Sequence, residues 1–174
     1  MVAVCGGVDS VALLHALSAR TGLDIVVGHF DHGIRPDSAD DRRFVEQVAA
    51  DRGQPFLYEE GRLGKSASEA AAREARYDFL NRAKARTGAR AIVTAHHSDD
   101  VLETAIINLL RGSGRKGLTS LTSRPDVKRP MLDISKSDII SYARDQRLDW
   151  REDSTNESTD YLRNYVRHKL LPRF

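Results

Sequence analysis

Short apolar runs suited to buried strands alternate along the chain with longer stretches of helical periodicity. MVAV (residues 1–4) leads through two glycines into DSVALLHALSAR, where Asp9 is placed to cap a helix. LDIVVGHF (23–30) is the next strand, followed by a polar loop and DSADDRRFVEQVAADRG, which opens on an Asp/Ser cap and closes on Gly53. QPFLYEE (54–60) leads through a glycine-containing loop to SASEAAAREARYDFLNRAKARTG, with capping-box spacing from Ser66 to Glu69 and a closing Gly88. ARAIVTAHH (89–97) reads as a fourth buried strand and SDDVLETAIINLLRG as its helix. This order predicts an α/β fold: a doubly wound, mostly parallel, Rossmann-like sheet covered on both faces.

After Arg111 the rhythm changes to a Gly/Ser/Arg-rich loop, a short RPMLDI segment, a helix from about Ser135 to Arg147, and a last amphipathic stretch from about Thr159 to Leu171. The expected division is a nucleotide-type domain over 1–132 and a short helical extension of the same unit over 133–174. Ligands of open parallel sheets sit beyond the carboxyl ends of the strands. The loops to inspect are therefore CGGVDS, FDHGIR and AHHSDD.

Composition narrows the classes. The 174 residues are 40% hydrophobic, enough for one domain with its own core. No run of about 18 apolar residues and no secretory leader can be read, so a soluble cytoplasmic protein without a membrane partner is expected. A single cysteine excludes an internal disulfide and an all-cysteine metal site. The net charge of +2 conceals an asymmetry: residues 1–100 carry 13 basic and 15 acidic side chains, the remainder 14 and 10. Basic residues concentrate between Arg111 and Arg129 and in the terminal YLRNYVRHKLLPRF, which suits either a nucleic-acid partner or a solvated basic surface.

In CGGVDS, Gly6 and Gly7 allow successive backbone N–H groups to converge on an anion, and the following helix adds the positive end of its dipole. The loop is neither G-x-x-x-x-G-K-[ST] nor G-x-G-x-x-G, and a turn needing glycine for packing alone would look similar. His96, Asp100 and Glu103, at i, i+4 and i+7, would share one helical face suited to a divalent cation or to proton handling. Cap and surface roles are the alternative. Asp31 and His32 follow the second strand, in a nucleoside-holding loop or an ordinary polar turn. Arg73 and Arg76, one turn apart, could reach a phosphate or pair with Glu69, Glu74 and Asp78.

Taken together these segments resemble the PP-loop (N-type) ATP pyrophosphatases, of the adenine nucleotide alpha hydrolase type, and within them the N-terminal catalytic domain of the tRNA(Ile)-lysidine synthetases. The SGG-x-DS loop appears as Cys5 to Ser10, the DHGLR-x-x-S loop as Asp31 to Ser38, and the E-x-x-AR-x-x-RY helix as Glu69 to Tyr77. AHH-x-DD-x-x-ET appears as Ala95 to Thr104, LLRGSG-x-x-GL as Leu109 to Leu118, and the closing D-x-(S/T)N … Y-x-RN-x-(I/V)R … LLP as Asp153 to Pro172.

That resemblance implies a two-step reaction on the wobble cytidine of a tRNA(Ile) with a CAU anticodon: adenylation by ATP and Mg2+, then attack by free L-lysine. It implies that Cys5, Gly6, Gly7, Val8, Asp9 and Ser10 hold the nucleotide phosphates, with Asp9 near the metal and Asp31, His32 and Arg73 completing the nucleotide site. His96, Asp100 and Glu103 would line the cytidine and lysine site, and Arg76 or Arg73 would steady the adenylate. Arg111, Arg115, Lys116, Arg163 and Arg167 would take the tRNA. The family has Ser where this chain has Cys5, which predicts weaker handling of ATP through one lost hydroxyl. Many relatives continue into further tRNA-gripping domains, so a minimal or shortened enzyme is expected. The other expectations are a tRNA thiolase, in conflict with the single cysteine, a non-catalytic tRNA-binding relative, and a homodimer as one assembly state.

Overall fold

The computed structural model describes residues 1–33, 38–61, 68–114, 121–122, 124–152 and 162–171, with only the backbone described at 38 and 69. Strand β1 (Val2–Ala3) lies at the centre of a five-stranded parallel sheet, between β2 (Val27–Asp31) and β4 (Ile92–Val93). Val2 is in register with both Val27 and Val93. β3 (Phe56–Glu60) extends the sheet beyond β2, and β5 (Val127–Lys128) extends it beyond β4. The order β3-β2-β1-β4-β5 reverses direction at β1, so a crevice opens where the ends of β1 and β4 diverge.

Alternation along the strands sorts the core into two layers. Val2 and Val4 join α1 (Val8–Ser18), α2 (Ser38–Ala50) and α5 (Lys136–Asp145) in one cluster that includes Leu13, Leu14, Val45, Met131, Ile139 and Ala143. Met1 faces the other way with Phe30, Ile92 and Val127, under Phe79, Leu80 and Ala83 of α3 (Glu69–Thr87). Gly28 makes close approach possible there: a Cβ at that position would lie 2.8 Å from Met1 Sδ and 3.1 Å from Leu80 Cδ2. α4 (Ser98–Leu110) follows β4, and α6 (Leu162–Tyr165) packs on it. A π-helical turn, Val166–Leu170, continues from α6. No helix among the described residues is long and apolar enough to cross a membrane.

The element order matches the sequence pattern, with local corrections. α1 is entered through Gly7 in an extended conformation, so Asp9 sits in the first turn and does not cap the helix. α3 is capped by Ser68, whose Oγ accepts from Ala71 N at 3.2 Å, whereas Ser66 lies outside the described residues. Gly53 (φ +62°) follows α2 and Gly88 (φ +69°) closes α3 in the left-handed region, as the pattern predicts. β4 holds only Ile92 and Val93 of the nine residues suggested for it. β5 was not legible as a strand, since two paired residues give no periodicity.

Candidate functional site

The loop after β1 is shaped by its own groups. Gly6 adopts φ +97°, open to glycine at little cost. Ser10 Oγ donates to Gly7 O at 2.9 Å and accepts from Cys5 N at 3.2 Å, so this buried hydroxyl closes the loop on itself. Cys5 is exposed, with Sγ 3.5 Å from Ser10 Oγ. A Cβ built on Gly7 would meet Cys5 Sγ at 3.6 Å.

Asp9 leaves the loop toward a second cluster. Its Oδ1 lies 2.6 Å from Lys136 Nζ, and its Oδ2 lies 3.9 Å from His97 Nε2. His97 is 3% exposed and caps α4, where its backbone N–H donates to Asp100 Oδ2 at 3.1 Å. The His97 ring is also 3.4 Å from Asp100 Oδ2 and 3.7 Å from Asp99 Oδ1. Asp99 Oδ1 accepts from Lys136 N at 3.2 Å and from Ser98 Oγ at 3.1 Å. Burial works to raise the Asp99 pKa, but these hydrogen bonds and the His97 charge outweigh it and leave it below the ordinary value.

Lys136 opens α5, whose Ser135 cap accepts from Asp138 N at 3.1 Å. A cation in the first turn opposes the helix dipole. The pairing with Asp9 compensates it. His15 Nδ1, 2.8 Å from Tyr142 Oη, ties α1 to α5 behind this pair.

The far wall comes from the end of the chain. Arg167, in the π-helical turn, places Nε 2.6 Å from Glu103 Oε1 and Nη2 3.0 Å from Oε2. Glu103 is 1% exposed, so this bidentate pair neutralises a buried carboxylate. For Arg167, burial alone would lower the guanidinium pKa, but Glu103, Asp100 and Asp9 together raise it. Arg163 lies 3.5 Å from Asp100 Oδ1 and 3.6 Å from Glu103 Oε2. His97, Asp99, Glu103, Lys136, Arg167 and Leu171 enclose a cavity of about 250 Å³.

His96 is not on the helical face that its spacing suggested, because α4 begins at Ser98. Its Nδ1 lies 2.8 Å from Thr94 Oγ1. Burial lowers its pKa to about 4; Asp100 opposes the shift, while Arg129, Arg76 and Arg73 add to it. Arg76 is half-buried, its pKa lowered chiefly by burial, and feels Cys5, Arg73 and Arg163. Arg73 is exposed with its guanidinium 5.1 Å from the Tyr77 ring.

Asp31, at the end of β2, accepts from Gly33 N at 2.8 Å, and His32 packs edge-on against Phe30. Val8 is buried at the head of α1, and Arg111 is exposed at the end of α4. Arg115 and Lys116 lie outside the described residues. His97 and Lys136 were missed from sequence. A doubled histidine at a strand-to-helix junction was a usable sign for the first; nothing local marks the second.

A parallel sheet with a glycine loop at its switch point and a carboxylate-bearing helix beside it defines an α/β nucleotide-site protein. A family model described as a PP-loop domain matches residues 1–174, and the chain belongs to that ATP-binding family. Similar curated proteins include the tRNA(Ile)-lysidine synthases of Solibacter usitatus (38% identical, 99% of this chain, 40% of that protein) and Thermotoga maritima (38%, 99% and 44%). That of Thermus thermophilus is 41% identical over 99% of this chain and 35% of its own length. The chain thus spans about two fifths of these relatives. Among solved structures, a U34-tRNA thiolase, NcsA from Methanococcus maripaludis with its 4Fe-4S cluster, has a TM-score of 0.77 at 18% identity, covering 95% of this chain and 62% of that one. That likeness shows the fold alone.

Proposed function

We propose that this chain is the ATP-using catalytic part of an enzyme that forms lysidine on a tRNA(Ile) with a CAU anticodon. The observation that carries the reading is the meeting of two motifs in one crevice. Asp9 of the glycine loop contacts both Lys136 and His97, and these two line the same cavity as Asp99, Glu103 and Arg167. The names of relatives 38–41% identical over 99% of the chain support the choice of reaction.

In the first step the amides of Gly6 and Gly7 and the start of α1 hold the ATP phosphates. The C2 oxygen of the wobble cytidine attacks the α-phosphorus. The bond to the bridging oxygen breaks, and pyrophosphate leaves with the electron pair. Lys136 Nζ, placed at Asp9, and the half-buried Arg76 supply positive charge for the phosphates and the adenylate. Ser10 keeps the loop closed.

Mg2+ takes one or two carboxylates and completes its shell with water and phosphate oxygens. Among the described residues no three His, Cys, Asp or Glu groups converge as a cage. Asp9, beside Lys136, would hold the ion as a single carboxylate ligand. Bound with the nucleotide, the ion would neutralise phosphate charge.

In the second step the lysine amine attacks C2, the C2–N bond forms, and AMP leaves with the C2–O pair. Asp100, whose side chain is 14% exposed and whose contacts with Arg163 and Arg167 are long at 3.5 and 3.8 Å, is the carboxylate assigned to the amine and its proton. Glu103 is committed to Arg167, so it shapes the site through that pair. His96 stays neutral and offers a hydrogen bond, since a pKa of about 4 makes it a weak base near neutrality. Arg163 and Arg167 orient these carboxylates, and the exposed Arg111 with Arg115 and Lys116 is left to the tRNA backbone.

Mass spectrometry of a tRNA(Ile) transcript after incubation with the purified protein, ATP and L-lysine tests the proposal. The expected product carries lysine in place of the C2 oxygen. Unmodified tRNA, or pyrophosphate release that ignores lysine, overturns it, as does full activity of Asp100→Ala.

A further inference from the structure

The glycine loop is held from behind by a residue outside every motif used so far. Arg151 N donates to Gly6 O at 2.9 Å. In a trans peptide the carbonyl and the next N–H lie in one plane and point in opposite directions. Fixing Gly6 O on Arg151 therefore aims Gly7 N–H away from residue 151.

The anchor is itself anchored. Arg151 Nε donates to Asp41 Oδ1 at 3.1 Å. Asp41 is 8% exposed and lies in the first turn of α2, where the helix dipole favours a negative charge. The Arg151 stem packs behind the loop: a Cβ built on Gly6 would lie 3.7 Å from Arg151 Cγ and 3.5 Å from both Phe44 and Val45 of α2. Helix α2, Arg151 and the Gly6–Gly7 peptide form one continuous chain of contacts.

We propose that Arg151 is a positioning residue for the nucleotide phosphates, setting the Gly6–Gly7 peptide plane through its backbone N–H while Asp41 holds its side chain in place. The inference rests on the reading of this loop as the ATP site. The Arg151 side chain is 43% exposed whereas Asp41 is buried, so urea unfolding of every variant accompanies the binding measurements and separates loss of fold from loss of phosphate placement.

The test measures ATP affinity by calorimetry and ATP KM against kcat, for the wild type, Arg151→Ala, Arg151→Lys, Asp41→Asn and the Arg151→Ala/Asp41→Asn pair. Arg151→Ala keeps the backbone N–H but releases it from the Asp41 anchor, and is expected to weaken ATP binding by up to about tenfold, part of the worth of that charge-assisted hydrogen bond. The KM rises in step while kcat stays within about twofold, since the loss falls on ground-state phosphate placement. Arg151→Lys restores most of the affinity, Asp41→Asn mimics Arg151→Ala, and the pair is no worse than either change alone. Wild-type affinity in Arg151→Ala overturns the inference. So does a loss that Asp41→Asn fails to reproduce, which makes the guanidinium a direct phosphate ligand. Absence of ATP binding by the wild type defeats the functional reading instead.

Discussion

Arg167 grips Glu103 with two parallel hydrogen bonds of 2.6 and 3.0 Å, and Glu103 is sealed from solvent at 1% exposure. Removing the arginine strands a buried carboxylate. Arg167→Ala is expected to cost about 3–5 kcal/mol in urea unfolding, whereas Arg167→Met with Glu103→Leu recovers most of it. A loss under 1 kcal/mol in the single variant shows that water or Arg163 already satisfies Glu103.

His96 gives the fold a pH dependence of known sign. Its folded pKa is about 4 against an ordinary 6.5, so the unfolded chain takes up a proton first as the pH falls. Its contribution is therefore constant above about pH 6.5 and is lost progressively on acidification toward 4. Between pH 6.5 and 5 the loss is up to about 2 kcal/mol. Burial lowers His15 and His29 as well, and they tilt stability the same way. The informative quantity is the difference in urea midpoints between wild type and His96→Gln over this range. Parallel curves refute the assignment.

Cys5 heads the glycine loop, with Sγ 3.5 Å from Ser10 Oγ. Cys5→Ser is expected to lower the KM for ATP by about two- to tenfold, the range of one added hydrogen bond. An unchanged or higher KM in steady-state kinetics counts against a phosphate contact at this position.

Lys136→Met removes the ammonium from Asp9 and from the wall of the cavity. ATP affinity should fall about tenfold or more, while Lys136→Arg retains a larger share, as expected for charge near a polyanion. Calorimetric titration with ATP and Mg2+ separates the two, and equal affinities exclude the role.

The sequence was legible where local chemistry decides structure. The glycines of CGGVDS, the left-handed caps at Gly53 and Gly88, and the alternation of buried runs with helical periods led to the right element order. It misled where a boundary shift changes which way a side chain faces. Starting α4 at Ser98 moves His96 off the helix and brings His97, the neighbouring residue, against Asp9 and Asp100. Long-range partners were invisible. Lys136 and Asp9 are ordinary charged residues in sequence, and only the packing of α5 on α1 joins them. Arg163 and Arg167 read as part of a basic tail, and only tertiary structure turns them inward onto Asp100 and Glu103.

The pairing of Val2 with both Val27 and Val93 has a consequence for how the chain acquires its chemistry. The β1-α1-β2 half is local and can form early, whereas joining β1 to β4 closes a much longer loop against chain entropy. The groups that complete the cavity, Lys136 and Arg167, come later still in the chain. During synthesis the ribosome therefore releases the glycine loop well before Lys136 and Arg167, and the cavity is complete only once the π-helical turn at 166–170 has emerged.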